Sequence, residues 1–313
     1  MPDAPASRVV TGSPPLVSVV VPTRDRPDQL RACLAALEAQ SAASFEVVVV
    51  DDGSRAAAAV RDVVAAAPHA RLVRSTDRGP AAARNLGAAA AMAPAVCFTD
   101  DDCRPEPGWL DALTARLGDE TPAAAGPTLT EEHGSVYSMA SQVITNHLTD
   151  GSRGGDRLGF APTSNLACRS DVLRAVPFDE RFPLAAGEDR DWCRRLAAGG
   201  GRLVFEPTAR VWHHQDLTAR RFWRQQTRYG RGAYRFHRRH PDGRQPVRFY
   251  AGLIGAGFRH GWRVGALVVV AQFAVAVGLA AEALADRAVK PVLSFGIDRF
   301  RSVLNDSSGR RGQ

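Results

Sequence analysis

The chain is predicted to be an α/β protein, a parallel sheet with helices on both faces followed by a helical extension. Two observations carry this. Short, continuous, β-branched apolar runs recur at Val17–Val21, Phe45–Val50 and Ala95–Thr99, with a weaker one at Arg71–Val73. Runs this short, bounded by turn residues, suit parallel strands buried on both faces. Between them lie helical stretches at Pro27–Gln40, Arg55–Ala67 and Pro80–Met92. Strand and helix therefore alternate from Val17 to about Leu117, the pattern of a sheet with helices on both sides.

Taken in order, residues 1–15 are small, polar and proline-rich and read as a disordered lead-in. Pro27 opens the first helix, where its missing N–H costs nothing, and Asp28 adds favourable negative charge. Leu129–Ala161 shows few strand signals and reads as an excursion near the mouth of a site. Asn165–Arg169 returns to the sheet. Glu188-Asp189 opens a helix through Ala198, stopped by Gly199-Gly200-Gly201. Arg202–Phe205 and Ala209–Trp212 are short strands. Leu217–Arg239 is a long basic helix, interrupted near Gly230 and Gly232. The boundaries that follow are a main domain over 16–240 and a helical extension over 241–313.

Composition narrows the function classes. The 313 residues suffice for one large core or two modest domains. The net charge of +7 is uneven: fourteen arginines stand against three acids between Arg202 and Arg263. That suits anionic phosphates or an anionic membrane surface, and nucleic acid is not expected. Five scattered cysteines have no metal-type spacing and read as thiols of a reducing compartment. No apolar signal-peptide core stands at the N-terminus, so a cytoplasmic location is expected. From Val264 to Ala281 no residue is charged. A buried helix, an interfacial helix and a span all fit. Basic flanks at Arg259, Arg263, Arg287 and Lys290 favour peripheral docking on the inner face of the cell membrane.

The chemistry-bearing residues fall at strand ends, where ligands bind in such sheets. Pro22-Thr23-Arg24-Asp25, Asp51-Asp52-Gly53-Ser54 and Asp100-Asp101-Asp102 should meet in one crevice. Three consecutive carboxylates are costly unless a cation or polar ligand compensates them. A divalent ion such as Mg²⁺ or Mn²⁺, sharing carboxylates with phosphate oxygens, would do so. No glycine-rich loop follows the first strand, which argues against a nucleotidyltransferase and a dinucleotide-dependent dehydrogenase.

Five segments in order resemble an inverting nucleotide-sugar glycosyltransferase of family 2. They are Val-Pro-Thr-Arg-Asp-Arg at 21–26, Val-Asp-Asp-Gly-Ser at 50–54, the stretch from Gly79 through Arg84-Asn85 to Gly87, Thr99 with the three aspartates, and Gly187-Glu188-Asp189. The resemblance runs from about Val17 to Gly232. It implies the GT-A fold, a Rossmann-type mixed, mostly parallel sheet flanked by helices. It also implies a nucleotide-diphosphate sugar donor, UDP-sugars being commonest in the family, and Mn²⁺ or Mg²⁺ as cofactor. Asp102 is the first candidate metal ligand and Asp100 the second; one of His213 and His214 is a further candidate. Asp101 or Asp100 would meet the ribose, and Asp51 or Asp52 the nucleobase or ribose. Arg84 would hold a phosphate or orient the aspartates. Asp189 is the expected general base, with Glu188 as runner-up or as a positioner of the acceptor. Gln225-Gln-Thr-Arg228-Tyr229 resembles the Gln-x-x-Arg-Trp motif of processive polysaccharide synthases, with Tyr229 in place of Trp. The acceptor implied is a glycan, a lipid-linked glycan or an envelope component; a secondary metabolite or peptide is the alternative. A non-catalytic nucleotide-sugar-binding protein on the same fold is the reading from another class.

Overall fold

The computed structural model describes residues 14–42, 44–130 and 134–308, so the lead-in expected at 1–15 lies almost wholly outside the described residues. The first part alternates as the sequence predicts: β1 (Val17–Thr23), α1 (Pro27–Glu38), β2 (Phe45–Asp52), α2 (Ala57–Ala65), β3 (Ala70–Ser75), α3 (Pro80–Ala90) and β4 (Ala95–Phe98). These four strands are mutually parallel, with Val19 level with Val47 on one side and Cys97 on the other. Next come β5 (Cys103–Pro105), α4 (Trp109–Thr114), β6 (Ala123–Ala125), β7 (Thr128–Leu129), α5 (Val136–Gly151), β8 (Arg153–Gly154) and β9 (Arg157–Leu158). Then follow β10 (Leu166–Arg169), α6 (Ser170–Ala175), α7 (Glu188–Ala198), β11 (Leu203–Phe205) and β12 (Val211–His213). The large sheet has the order β3-β2-β1-β4-β10-β6-β11-β9-β8, and a small one the order β5-β12-β7. β10 runs antiparallel between β4 and β6, so the sheet is mixed, as expected.

Strand alternation divides the core in two. Val19, Val21, Val47 and Val49 face α1, α2 and α4, while Val20, Val48 and Val50 face α3 and α7. Apolar residues on both faces make these strands the interior of the domain. The helix α3 lies unusually close to the sheet. A Cβ on Gly87 would come within 2.3 Å of Val20 Cγ1, so only glycine allows this approach. That depth carries Arg84 beneath the strand ends.

Two sequence expectations are corrected. The stretch 129–161 contains the four-turn helix α5, capped by the Ser135 side chain accepting from the Tyr137 N–H. Its signal was present in Val136, Ala140, Val143 and Ile144 at helical spacing after a capping serine. The second correction concerns α8 (Ala219–Arg239), which is continuous through Gly230 and Gly232. Those glycines are close-approach positions. A Cβ on Gly230 would meet Val275 O at 2.0 Å, and one on Gly232 would meet Ala186 O at 2.3 Å.

α9 (Val247–Arg259) and α10 (Trp262–Ser308) pack with α5 and α8 around a third apolar cluster that includes Phe222, Leu253 and Val268. α10 in turn brings Gly278 against Thr227 O, where a Cβ would stand at 1.9 Å. Gly278→Leu is expected to lower stability by roughly 1–3 kcal/mol or more, because a backbone carbonyl cannot move aside as a side chain does. Ala280→Leu, at an exposed position of the same helix, should stay within about 0.5 kcal/mol. Urea unfolding midpoints of the two variants and the parent check both.

Candidate active site

A cavity of about 1280 Å³ opens at the C-terminal ends of β1, β2 and β4. Pro22, Thr23, Arg24 and Asp25 line it from β1, and Asp52 from β2. Asp52 accepts from the backbone N–H groups of Arg78 (3.0 Å) and Gly79 (2.8 Å), which fixes the loop entering α3. Arg24 pairs with Asp77 on the rim, Nη2 to Oδ2 at 2.8 Å. Asp51 is fully buried, accepts from the Ser54 N–H at 2.9 Å and is not part of the cavity wall.

The three aspartates are separated by their partners. Asp101 accepts from Thr23 Oγ1 at 2.7 Å and from Arg26 Nη1 at 3.0 Å. Burial pushes its pKa up to about 6, against the pull of Arg26. Asp102 shares Arg26, also at 3.0 Å, and lies 3.2 Å from His213 Nε2. Burial alone would raise the Asp102 pKa; the His213 imidazole and the Arg26 guanidinium outweigh it and bring it down to about 2. His213 shows the converse: burial would lower its pKa, and Asp102 raises it. Asp100 accepts from Arg84 Nη2 at 3.0 Å.

His213 reaches Asp102 because β12 pairs antiparallel with β5, placing His213 opposite Cys103. Its Nδ1 lies 3.2 Å from Gln142 Oε1 on α5. Donor atoms of Asp102, Cys103 and His213 lie within 4.8 Å of one another. The two exposed-side donors, a carboxylate and an imidazole, fit Mn²⁺ or Mg²⁺ supplemented by phosphate and water. Cys103 is fully buried, and its thiol pKa is driven far up by burial, so it fits such an ion poorly. His214 also lines the cavity, and its backbone N–H donates to Asp102 O at 2.8 Å.

Across the cavity, α7 begins at Gly187, which has φ +91°. Glu188 is buried and accepts from Arg84 Nη1 at 2.9 Å. Arg84 therefore joins Asp100 to Glu188, the metal-type motif to the acid motif. Asp189 follows on the cavity wall, accepting from the Arg190 N–H at 2.8 Å. Burial, reinforced by the neighbouring Glu188 charge, pushes its pKa up to about 7.

Helix α8 closes the opposite side with Gln225 and Arg228 on the cavity wall. Gln225 accepts from Ser141 Oγ at 2.9 Å, while Arg228 Nε is buried without a hydrogen-bond partner. Thus the residues given a candidate catalytic, donor or metal role all line one cavity except Asp51, while Gly53, Ser54, Asn85, Gly87 and Thr99 of the same motifs stand outside its wall. Lining residues that the sequence reading did not single out include Arg26, which lay inside a recognised motif without a role, Ile144 and Thr145 of α5, and Trp223 of α8.

Residues 18–176 match the family described as "Glycosyl transferase family 2". The chain belongs to that family. Among curated relatives, a pre-mycofactocin glycosyltransferase of Mycobacterium tuberculosis is 33% identical over 248 residues, covering 77% of this chain and 51% of the relative. The chain thus spans about half the length of that relative. The glycosyltransferase AglE of Haloferax volcanii is 28% identical over 204 residues, covering 63% of this chain and 66% of AglE. Among solved structures, a mannosyltransferase of Pyrobaculum calidifontis in complex with GDP-Man and Mn²⁺ superposes with a TM-score of 0.56 at 20% identity, covering 91% of this chain and 81% of that one. The TarS fragment of S. aureus gives 0.51 at 15% identity, covering 88% and 91%. The fold of the family 2 chain is accordingly GT-A.

Arg84→Met keeps an unbranched, apolar stem and leaves Asp100 and Glu188 without their shared cation. The expected loss is about 3–5 kcal/mol, the usual result of removing one partner from a buried pair. Urea unfolding measures it. The deficit should shrink as pH falls from about 8 to about 5, because Glu188, whose pKa burial already raises, takes up a proton and no longer needs the cation.

Proposed function

We propose that the protein is a metal-dependent, inverting glycosyltransferase that moves a sugar from a nucleoside-diphosphate donor to an acceptor hydroxyl. The observation that carries this reading is one cavity holding two acidic groups with opposed proton affinities. Asp102 is held ionised, with a pKa of about 2, and Asp189 is poised at about 7. The depressed value suits Asp102 as a cation ligand and the raised one suits Asp189 as a base.

In this reading Asp102 and His213 hold the divalent ion, with Asp100 as the next carboxylate. Bound there, such an ion would supply Lewis-acid stabilisation of the charge that grows on the departing diphosphate. Asp52, rather than the enclosed Asp51, contacts the nucleobase or ribose, and Asp101 or Asp100 the ribose. Arg228 faces the diphosphate or the acceptor with its unpartnered Nε. Arg84 and Glu188 fix the separation of the two motifs. Asp189 removes the proton of the acceptor hydroxyl as its oxygen forms the bond to the anomeric carbon. The bond from that carbon to the diphosphate oxygen breaks on the opposite face, so configuration inverts. A UDP-sugar is the first donor to try, followed by GDP- and dTDP-sugars; the mannosyltransferase of the same fold was solved with GDP-Man and Mn²⁺. A glycan or lipid-linked acceptor at the cytoplasmic face of a membrane is proposed. The Mycobacterium relative is named for pre-mycofactocin, which keeps a soluble metabolite acceptor as the second reading.

Asp189→Asn preserves shape and removes basicity. It should retain donor binding and lose about 10²–10⁴-fold in transfer rate. In the parent, kcat/KM should rise with pH through about 7 as Asp189 ionises. Stability should follow the opposite trend. The folded-state pKa lies above the ordinary 3.8, so this group's contribution is complete below that value and lost as pH rises through about 7. A flat rate profile between those limits, or a product that keeps the donor's anomeric configuration, would refute the assignment.

Asp102→Ala should abolish the extra thermal stabilisation that Mn²⁺ adds to a nucleoside diphosphate, since ion and nucleotide bind the native state together. A thermal-shift panel of UDP, GDP and dTDP with and without Mn²⁺ reads this directly. An unchanged Mn²⁺-dependent shift in the variant would remove Asp102 from the ligand set.

A further inference from the structure

Among the described residues of α10, Val264, Gly265, Val268, Ala271, Ala274, Gly278 and Glu282 are buried; the line of contact with its neighbours runs through Val264, Val268, Ala271, the half-buried Val275, Gly278 and Glu282. Their spacing alternates four and three, the seam of a helix packed lengthwise against others. The other face stays open. Trp262 is 71% exposed, Phe273 66% and Leu284 66%, with Val269, Val270 and Val277 exposed between them. No charged residue occurs between Arg263 and Glu282. An open, uncharged face about 33 Å long from Trp262 to Leu284, at 1.5 Å per residue, is far more than the scattered single apolar residues of an ordinary surface.

By length and composition Trp262–Arg287 could cross a bilayer. Its packing argues otherwise. The seam is fastened to α8 through Gly230 on Val275 and Gly278 on Thr227. Glu282 accepts from Arg231 Nε at 2.6 Å and from Arg235 Nε at 2.8 Å. A spanning α10 would pull the eight arginines of α8 towards hydrocarbon, where each is strongly disfavoured. The helix can instead lie along a surface with its open face down.

Charge selects the surface. Exposed Arg220 and Arg224 lie on the stripe of α8 that continues through Thr227 beside α10, and exposed Arg259 and Arg263 lie at the other end. The acids nearest the open face are engaged: Glu282 with the two arginines above, and Asp286 with Arg238. A two-fold pairing with a second copy would set this basic rim against itself. An anionic bilayer satisfies both the rim and the apolar face. The surface also reaches the cavity. The Trp223 ring lies 6.2 Å from the Phe273 ring, and Trp223 lines the cavity wall.

We propose that the protein docks on an anionic bilayer through the open face of α10, with the helix axis in the membrane plane and the cavity mouth at the membrane surface. An acceptor anchored by an apolar tail would then present its hydroxyl to Asp189 without leaving the bilayer. Only this last consequence rests on the transferase reading; the docking does not.

Flotation of the full chain with lipid vesicles, without donor or metal, tests the docking. The protein should float with vesicles of equimolar phosphatidylcholine and phosphatidylglycerol, and much less with phosphatidylcholine alone. Phe273→Glu should lower the partition coefficient about tenfold or more. Trp262→Ser serves as a second variant at the open end of the same face, and thermal unfolding confirms that each folds. Equal flotation of parent and variants overturns the proposal. So does a parent that ignores vesicles but forms a dimer dispersed by Phe273→Glu, which would assign the face to a second copy. Parent protein that resists extraction from the vesicles by alkaline carbonate would mean a span and overturns the in-plane geometry. Nucleotide binding with Mn²⁺ is measured on the same samples without vesicles, so a failure of docking is distinguished from a failure of the transferase reading.

Discussion

The buried guanidinium of Arg84 is the contact on which the site depends. It bonds Asp100 just beyond β4 and Glu188 at the start of α7. Burial raises the pKa of Glu188 and Arg84 opposes it; the one delocalised cation serves Glu188 and Asp100 through separate N–H donors. The depth required is set by α3, whose small residues and Gly87 let it settle onto Val20 and Val50. An apolar packing decision thus fixes the distance between the donor half and the acid half of the cavity.

The same acidic residue type performs different tasks because its surroundings differ. Asp101 is enclosed and hydrogen-bonded to Thr23, Asp102 is stabilised by His213 and Arg26, and Asp189 is desolvated beside another carboxylate. None of this requires unusual chemistry in the side chains. It follows from which strand or helix end each occupies and which cation lies in reach. His213 joins the group through the pairing of two three-residue strands, so the small sheet exists in the site as a positioning device.

The strand ends were legible in the sequence because each motif ended an apolar run, and that pattern has a direct physical cause in a parallel sheet. Glu188 and Asp189 were legible for a similar reason, at a helix start after glycine. Asp51 and Asp52 could not be ranked, since adjacent residues at a strand end point to opposite sides and the sequence does not show which side is open. The helix α5 was overlooked because its apolar stripe is interrupted by Ser, Thr and Asn, which helices tolerate when those hydroxyls bond back to preceding carbonyls, as Thr145 and Thr149 do. Gly230 and Gly232 read as a break by propensity. Tertiary packing overrode that preference, because a helix crossing this close requires glycine.

The bonds that define the cavity join residues far apart along the chain: Thr23 to Asp101 across 78 positions, and Arg84 to Glu188 across 104. Loop closure of that order must be offset by packing before such pairs form. During synthesis, the nascent chain therefore completes its first strands and helices long before the cavity can close. The segment matched by the family, residues 18–176, ends before Glu188, His213 and Arg228. The cavity wall is complete only once residues 188–228 fold back over the strands made earliest. In a partly made chain Arg84 lacks the Glu188 partner that ties the two sides of the cavity together.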